Sequence, residues 1–215
     1  MNPKTRNLFV RTASGIVYVA LMVVAVYTPW VAVPLALFFM LVGMYEFYKL
    51  CKNPKLYPVG PIWIAVPLCI LFFLWIPQQP ILVLAFLILI WMSDTAAYVF
   101  GSIFGKHKLA PNISPGKTWE GFLCSCVFTV GLAVGLYYIP YFQQSGLQMW
   151  QWIVLSLIIQ VFGLMGDLTE SLFKRKAGVK DSGNIIPGHG GVLDRVDSIL
   201  FATIPAYLFC LMCAA

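Results

Sequence analysis

The feature that most restricts this chain is a succession of seven apolar stretches, at about residues 12–29, 31–50, 61–77, 81–104, 120–140, 149–173 and 192–214. Each is close to the ~20 residues that a helix needs to cross the hydrocarbon of a bilayer. In hydrocarbon a backbone finds no water, so a spanning segment must satisfy its own N–H and C=O groups, as a helix does. The breaks hold most of the polarity of a chain that is 60% hydrophobic and 10% charged. Soluble domains carry about 25% charged residues. The expected fold class is therefore all-α: a polytopic integral membrane protein with about seven transmembrane helices. A separate soluble domain has no room here. We read residues 1–215 as a single membrane domain, with N-terminal helices over 12–80 and the helices and loops that carry the polar chemistry over 81–215. The third stretch is short and contains Pro67, which predicts a kink or an interfacial segment.

Charge placement orients this bundle. Under the seven-helix reading all fourteen Lys and Arg residues fall on one side: Lys4, Arg6, Arg11, Lys49, Lys52, Lys55, Lys106, Lys108, Lys117, Lys174, Arg175, Lys176, Lys180 and Arg195. The connections on the other side, "TPW", "IPQQP" and "YFQQSGLQMWQ", carry no charge. Positive loops stay cytoplasmic, so the N-terminus is expected in the cytoplasm, the C-terminus outside, and the protein in the cytoplasmic (inner) membrane. The net charge of +6 is thus largely a topology signal, and no nucleic-acid partner is expected. No small-x-small cleavage site follows the basic N-terminus, so the first stretch is read as a retained helix. The six cysteines lie mostly within apolar runs and are read as small buried hydrophobes; no second ligand pair supports zinc. The spacings Gly101–Gly105 and Gly131–Gly135 permit close helix contacts.

The acidic residues point to chemistry. Asp94 stands about 13 residues into the fourth stretch, ~20 Å along at 1.5 Å per residue, and so within the hydrocarbon. Such a charge costs ~2.5–3.5 kcal/mol on insertion scales and usually faces a polar interior. In "GDLTES" Asp167, Glu170 and Ser171 share one helical face, and in "LDRVD" Asp194 and Asp197 are again three apart. Carboxylates presented together need a counter-charge or a proton. A hard dication such as Mg²⁺ fits a site that handles phosphates, and a salt-bridge set with Arg195 or Lys180 is the alternative. Between these faces, "PGHGG" offers a backbone that can approach an anion just before a helix N-terminus. Lys174, Arg175, Lys176 and Lys180 add positive charge. In "GKHKLAPNISPGKTWEGF" the "PGKT" imitates the end of a P-loop. The required upstream glycine is Pro111 and no strand is expected before it, so that motif is rejected. What survives is a loop with Lys106, Lys108, Ser114, Lys117 and Thr118, and Glu120 at a helix start. The residues alone reach a site for phosphoryl or nucleotidyl transfer to a lipid at the inner surface of the membrane.

The segment "SLFKRKAGVKDSGNIIPGHGGVLDRVDS" resembles the signature of phosphatidate cytidylyltransferases (CDP-diacylglycerol synthases), without departure across residues 171–197. "WMSDTAAYVFGSIFGKHKL" and "ISPGKTWEG" are similar to that family too, and "RNLFVRTASGIVYVAL" and "EFYKL" more loosely. The region between "EFYKL" and "WMSD" is short, which implies fewer helices than usual members carry. The resemblance implies an Mg²⁺-dependent reaction of CTP with phosphatidate giving CDP-diacylglycerol and pyrophosphate, with a second, monovalent cation and a homodimer as family-level expectations. It implies Asp167 and Asp194 as metal ligands, and Asp167, Asp194, Asp197 and Ser171 as the catalytic group. Lys174, Arg175, Lys180, Asp181, Gly190, Gly191, Arg195, Lys117 and Asp94 would meet substrate, and His189 would contact phosphate or shape the loop. The rivals are a CTP-dependent lipid kinase, a synthase acting on another phospholipid, a transporter using the intramembrane acids, and a non-catalytic relic.

Overall fold

The computed structural model describes the backbone of residues 3–186 and 190–214, and their side chains apart from residues 3–8 and 11. Among the described residues seven long helices follow in order: α1 (Pro3–Tyr27), α2 (Pro29–Leu50), α3 (Pro54–Gln78), α4 (Pro80–Phe104), α5 (Trp119–Tyr137), α6 (Met149–Ala177) and α7 (Leu193–Ala214). Six of them, α2 to α7, are long and apolar enough to cross a membrane; the apolar part of α1, Thr12–Tyr27, is shorter. α1 still lies along the depth of the bundle. Its Tyr18 hydroxyl donates to the Arg195 carbonyl at 3.0 Å, and its Tyr27 hydroxyl meets that of Tyr141.

The helix starts follow local chemistry. Proline opens α2, α3 and α4, where its missing N–H costs nothing. Gln148 and Gln151 close a reciprocal cap on α6, and Gly178, at φ 76°, ends that helix in the left-handed conformation. The expected disturbance at Pro67 is present. Within α3 the turns Pro61–Ala65 and Ile70–Trp75 are π-helical and flank an α-helical turn, Val66–Cys69, that holds the proline. Wider i→i+5 turns shift the hydrogen-bond ladder around a residue that cannot donate.

An addition to the all-α expectation joins α4 to α5. Strands β1 (Lys108–Ala110) and β2 (Ser114–Thr118) pair antiparallel. A strand does therefore precede "PGKT", but Gly116 to Thr118 lie within β2, not in a phosphate loop, and Pro111 still occupies the glycine position. The Thr118 hydroxyl accepts from Gly121 N–H at 3.2 Å and caps α5. Glu120 accepts from the N–H groups of Lys106 and His107 and pairs with the His107 ring at 2.5 Å, folding the hairpin back on α5.

Packing is densest between α6 and α7 and between α4 and α5. At Gly121 a Cβ would lie 2.8 Å from both the Ala97 carbonyl and Gly101 Cα, so these glycines let α4 and α5 touch. Gly131 and Gly135 meet nothing within 4 Å, so only the first predicted glycine spacing is used inside the molecule. In lipid, apolar burial does not drive helices together, and contact and hydrogen bonding carry more of the association. Gln160 of α6 supplies such bonds, donating to the Ser125 hydroxyl and accepting from Thr129 at 3.3 Å, both on α5. Phe47, Trp63 and Phe173 pack with ring centroids 5.4–5.6 Å apart and tie α2, α3 and α6 together. The six cysteines are unpaired, Cys51 and Cys210 buried among apolar neighbours.

Candidate active site

The C-terminal ends of α2, α4 and α6 and the N-terminal end of α7 meet at one end of the bundle. Glu46 of α2 reaches the backbone of Val192 and Leu193, and the Arg175 guanidinium of α6 donates to the Ile113 carbonyl in the hairpin at 3.1 Å. A cavity of about 490 Å³ opens there, within the ~300–1,000 Å³ of small-molecule sites. α4 contributes Asp94 and Tyr98, the hairpin Lys117 and Thr118, and α6 Asp167, Glu170 and Lys174; Asp181, Asp194, Arg195 and Asp197 complete the polar wall. Asp94, Asp167 and Asp197 stand close enough to feel one another's charge.

Lys117 Nζ pairs with Asp167 Oδ2 at 2.6 Å, and the Ser171 hydroxyl donates to Asp167 Oδ1 at 3.2 Å. A carboxylate has about four acceptor positions, so Asp167 keeps spare capacity beside the cavity. Asp194 is more fully engaged. Its Oδ1 accepts from Lys174 Nζ at 2.7 Å, and its Oδ2 from Ser182 N and Gly191 N at 3.0 and 2.8 Å, with the Ser182 hydroxyl 3.0 Å from Oδ2. Lys174 also meets Glu170 Oε2 at 2.6 Å, which makes it a strut between α6 and α7. Glu170 is 0% exposed, and its Oε1 finds no hydrogen-bond donor among the described residues.

The remaining expected residues divide. Arg175 points away from the cavity wall, its guanidinium also donating to the Val179 carbonyl at 3.3 Å. Ser171 and Gly191 act one step back, through Asp167 and Asp194. Gly190 accepts from Ile186 N at 3.0 Å and closes the loop on itself. Lys180 is exposed and does not line the cavity, and His189 lies outside the described residues. Sequence reasoning placed Glu170 on the correct face without giving it a role. It gave none to Ser182 or Glu46, although an acid near the end of the apolar helix α2 was a signal, because a buried charge requires partners.

The polar end of this bundle is built almost wholly from a segment with known relatives. Residues 62–213 match the family model described as "Cytidylyltransferase family". The chain belongs to the cytidylyltransferase family. A protein of Staphylococcus haemolyticus named phosphatidate cytidylyltransferase is 49% identical over 121 residues, 54% of this chain and 44% of that relative. One of Staphylococcus aureus strain COL with the same name is 52% identical over 119 residues, with the same two shares. This cytidylyltransferase-family chain thus spans about half the length of the curated relatives it matches. Its cavity sets hard oxygen donors and ammonium groups side by side at the end of an apolar bundle, the combination that phosphate esters and their counter-ions require.

Proposed function

We propose that this chain transfers the cytidylyl group of CTP to phosphatidate, releasing pyrophosphate and forming CDP-diacylglycerol, at the cytoplasmic face of a membrane. The observation that carries the reading is the cavity itself, where acids from α4, α6 and α7 face the cation of a hairpin. Family membership and the names of the relatives support the nucleotide and the lipid. The one-sided placement of Lys and Arg supports the orientation. Large apolar side chains of α4 and α5, including Tyr98 (79% exposed) and Leu123 (58%), face outward at this end, which suits a substrate whose tails stay in lipid.

In this reaction a phosphate oxygen of phosphatidate attacks the α-phosphorus of CTP, and the bond to the β-phosphate oxygen breaks as pyrophosphate leaves. No protein nucleophile is needed, so the protein's part is positioning and charge neutralisation. Lys117 would meet a phosphate; in support, its ammonium pairs with Asp167 at the cavity wall. Arg195 opens on the same space. Lys174 is committed to Glu170 and Asp194 and contributes by holding their helices in register.

The donor set fits Mg²⁺. Among the described residues no three acidic, His or Cys side chains converge on one ion position, but Mg²⁺ usually takes one or two carboxylates and completes its shell with water and phosphate. Asp167 would lead, with the donorless Oε1 of Glu170 and the Asp197 carboxylate on the same wall. Asp194 would join only if Lys174 released it. When bound, the ion would neutralise charge on the triphosphate.

The test is purified protein in detergent with phosphatidate and CTP labelled at the α-phosphate. Label should enter the lipid, with one pyrophosphate released per lipid labelled. CDP release with unlabelled lipid would overturn the reading in favour of γ-phosphoryl transfer.

A further inference from the structure

We propose that Glu46 is a positioning residue for the reaction, anchoring Ser182 and the start of α7 at Val192 and Leu193 from a helix that precedes the family-matched segment. The proposal rests on the reading above for its effect on turnover, but not for the contact.

Glu46 is 1% exposed, near the C-terminal end of α2. It lines no part of the cavity. Its Oε1 accepts from Val192 N at 3.1 Å, and its Oε2 from Leu193 N at 2.8 Å and Ser182 Oγ at 3.0 Å. Among the described residues no Lys or Arg pairs with it. The charge is met instead by the N–H groups that open α7, where a helix leaves its first donors free and carries partial positive charge. A carboxylate from a distant helix thus serves as the cap that a local Ser or Asp usually provides.

The contact reaches the cavity through one hydroxyl. Ser182 Oγ lies 3.0 Å from both Glu46 Oε2 and Asp194 Oδ2 and has a single proton to donate. Asp194 in turn orients Lys174 and lines the cavity. The space around Glu46 is made by missing side chains. A Cβ on Gly191 would stand 2.6 Å from both Glu46 oxygens and overlap the Ser182 hydroxyl, and one on Gly183 would overlap Glu46 Oε1. Ser182, Gly183 and residues 191–193 therefore surround this carboxylate, and removing it takes the acceptor from the N–H groups of two fully buried residues.

The experiment compares wild type, Glu46→Ala, Glu46→Gln and the neighbouring control Tyr45→Ala, whose side chain is 63% exposed, by amide exchange and CTP turnover. Exchange of Ser182 and residues 190–193 should quicken about tenfold or more in Glu46→Ala, less in Glu46→Gln, and not in Tyr45→Ala, with α4 and α5 unchanged. KM for CTP should rise about tenfold in Glu46→Ala as kcat falls about thirtyfold, with Glu46→Gln between it and wild type. A smaller folded fraction would lower apparent kcat alone. Unchanged loop exchange in both Glu46 variants, or exchange that quickens equally everywhere with KM constant, overturns the proposal. Wild-type protein that turns over no CTP sinks the functional reading, and the exchange data still decide the anchor.

Discussion

The two walls of the cavity use the same residue type for opposite ends. On the loop side Asp194, together with Glu46 behind it, has most of its acceptor positions taken by backbone N–H groups, a serine and a lysine. On the helix side Asp167 retains acceptor positions facing the cavity, and the fully buried Glu170 keeps an oxygen without a donor among the described residues. Buried carboxylates are costly unless satisfied. The loop-side acids use that requirement to order Ser182 and the residues at the start of α7. The helix-side acids rest on helices that need no such help, and the unused capacity of Asp167 stays open to the cavity.

The sharpest break of this contrast is Asp194→Ala. It removes the acceptor for Ser182 N and Gly191 N and leaves Lys174 with Glu170 alone. The side chains of Lys174 and Asp194 are 12% and 7% exposed, and truncating one partner of a buried pair costs about 3–5 kcal/mol. We expect a lowered melting temperature in detergent together with lost turnover. A variant that melts as wild type does would place Asp194 among the ligand-binding acids and erase the distinction.

Asp167→Asn probes the other wall. Its pair with Lys117 is partly exposed, at 32% and 22%, and such pairs contribute about 0–1 kcal/mol to stability. The asparagine can still accept from Ser171, so the melting temperature should hardly move. Turnover should fall about 100-fold, ~3 kcal/mol in the barrier, as for loss of a group acting on transition-state charge. Normal Mg²⁺-dependent turnover of CTP in this variant would remove Asp167 from the proposed metal ligands.

How much of this was legible in the sequence follows from range. The helices could be read because a bilayer forces each apolar stretch to satisfy its own backbone, and Pro67 announced the distorted part of α3. The hairpin could not, since a strand such as Lys108–Ala110 is too short to show alternation. Asp194 and Asp197 were placed correctly on the first turns of α7, but three-residue spacing cannot tell which one turns back to the loop. Lys174 was legible as a cation near the acids; that its charge is spent on two of them depends on how α6 meets α7. Glu46 is 136 positions from Ser182 and 147 from Leu193, and no local pattern connects them.

The smallest expected effects separate two lysines of one hairpin. Both read in the sequence as basic residues beside a membrane. Lys117 stands on the cavity wall, 2.6 Å from Asp167, while Lys108 is exposed and lines no part of the cavity. Lys117→Ala removes one charge from the cavity wall and the counter-charge of Asp167, and should lower kcat/KM for CTP about tenfold, or ~1.4 kcal/mol. Lys108→Ala should change it less than about twofold, because an exposed charge in water adds little at this range. Equal losses in the two variants would mean that the hairpin attracts CTP through its overall field, which raised salt would screen. A loss confined to Lys117 and insensitive to salt is what a direct contact within the cavity requires.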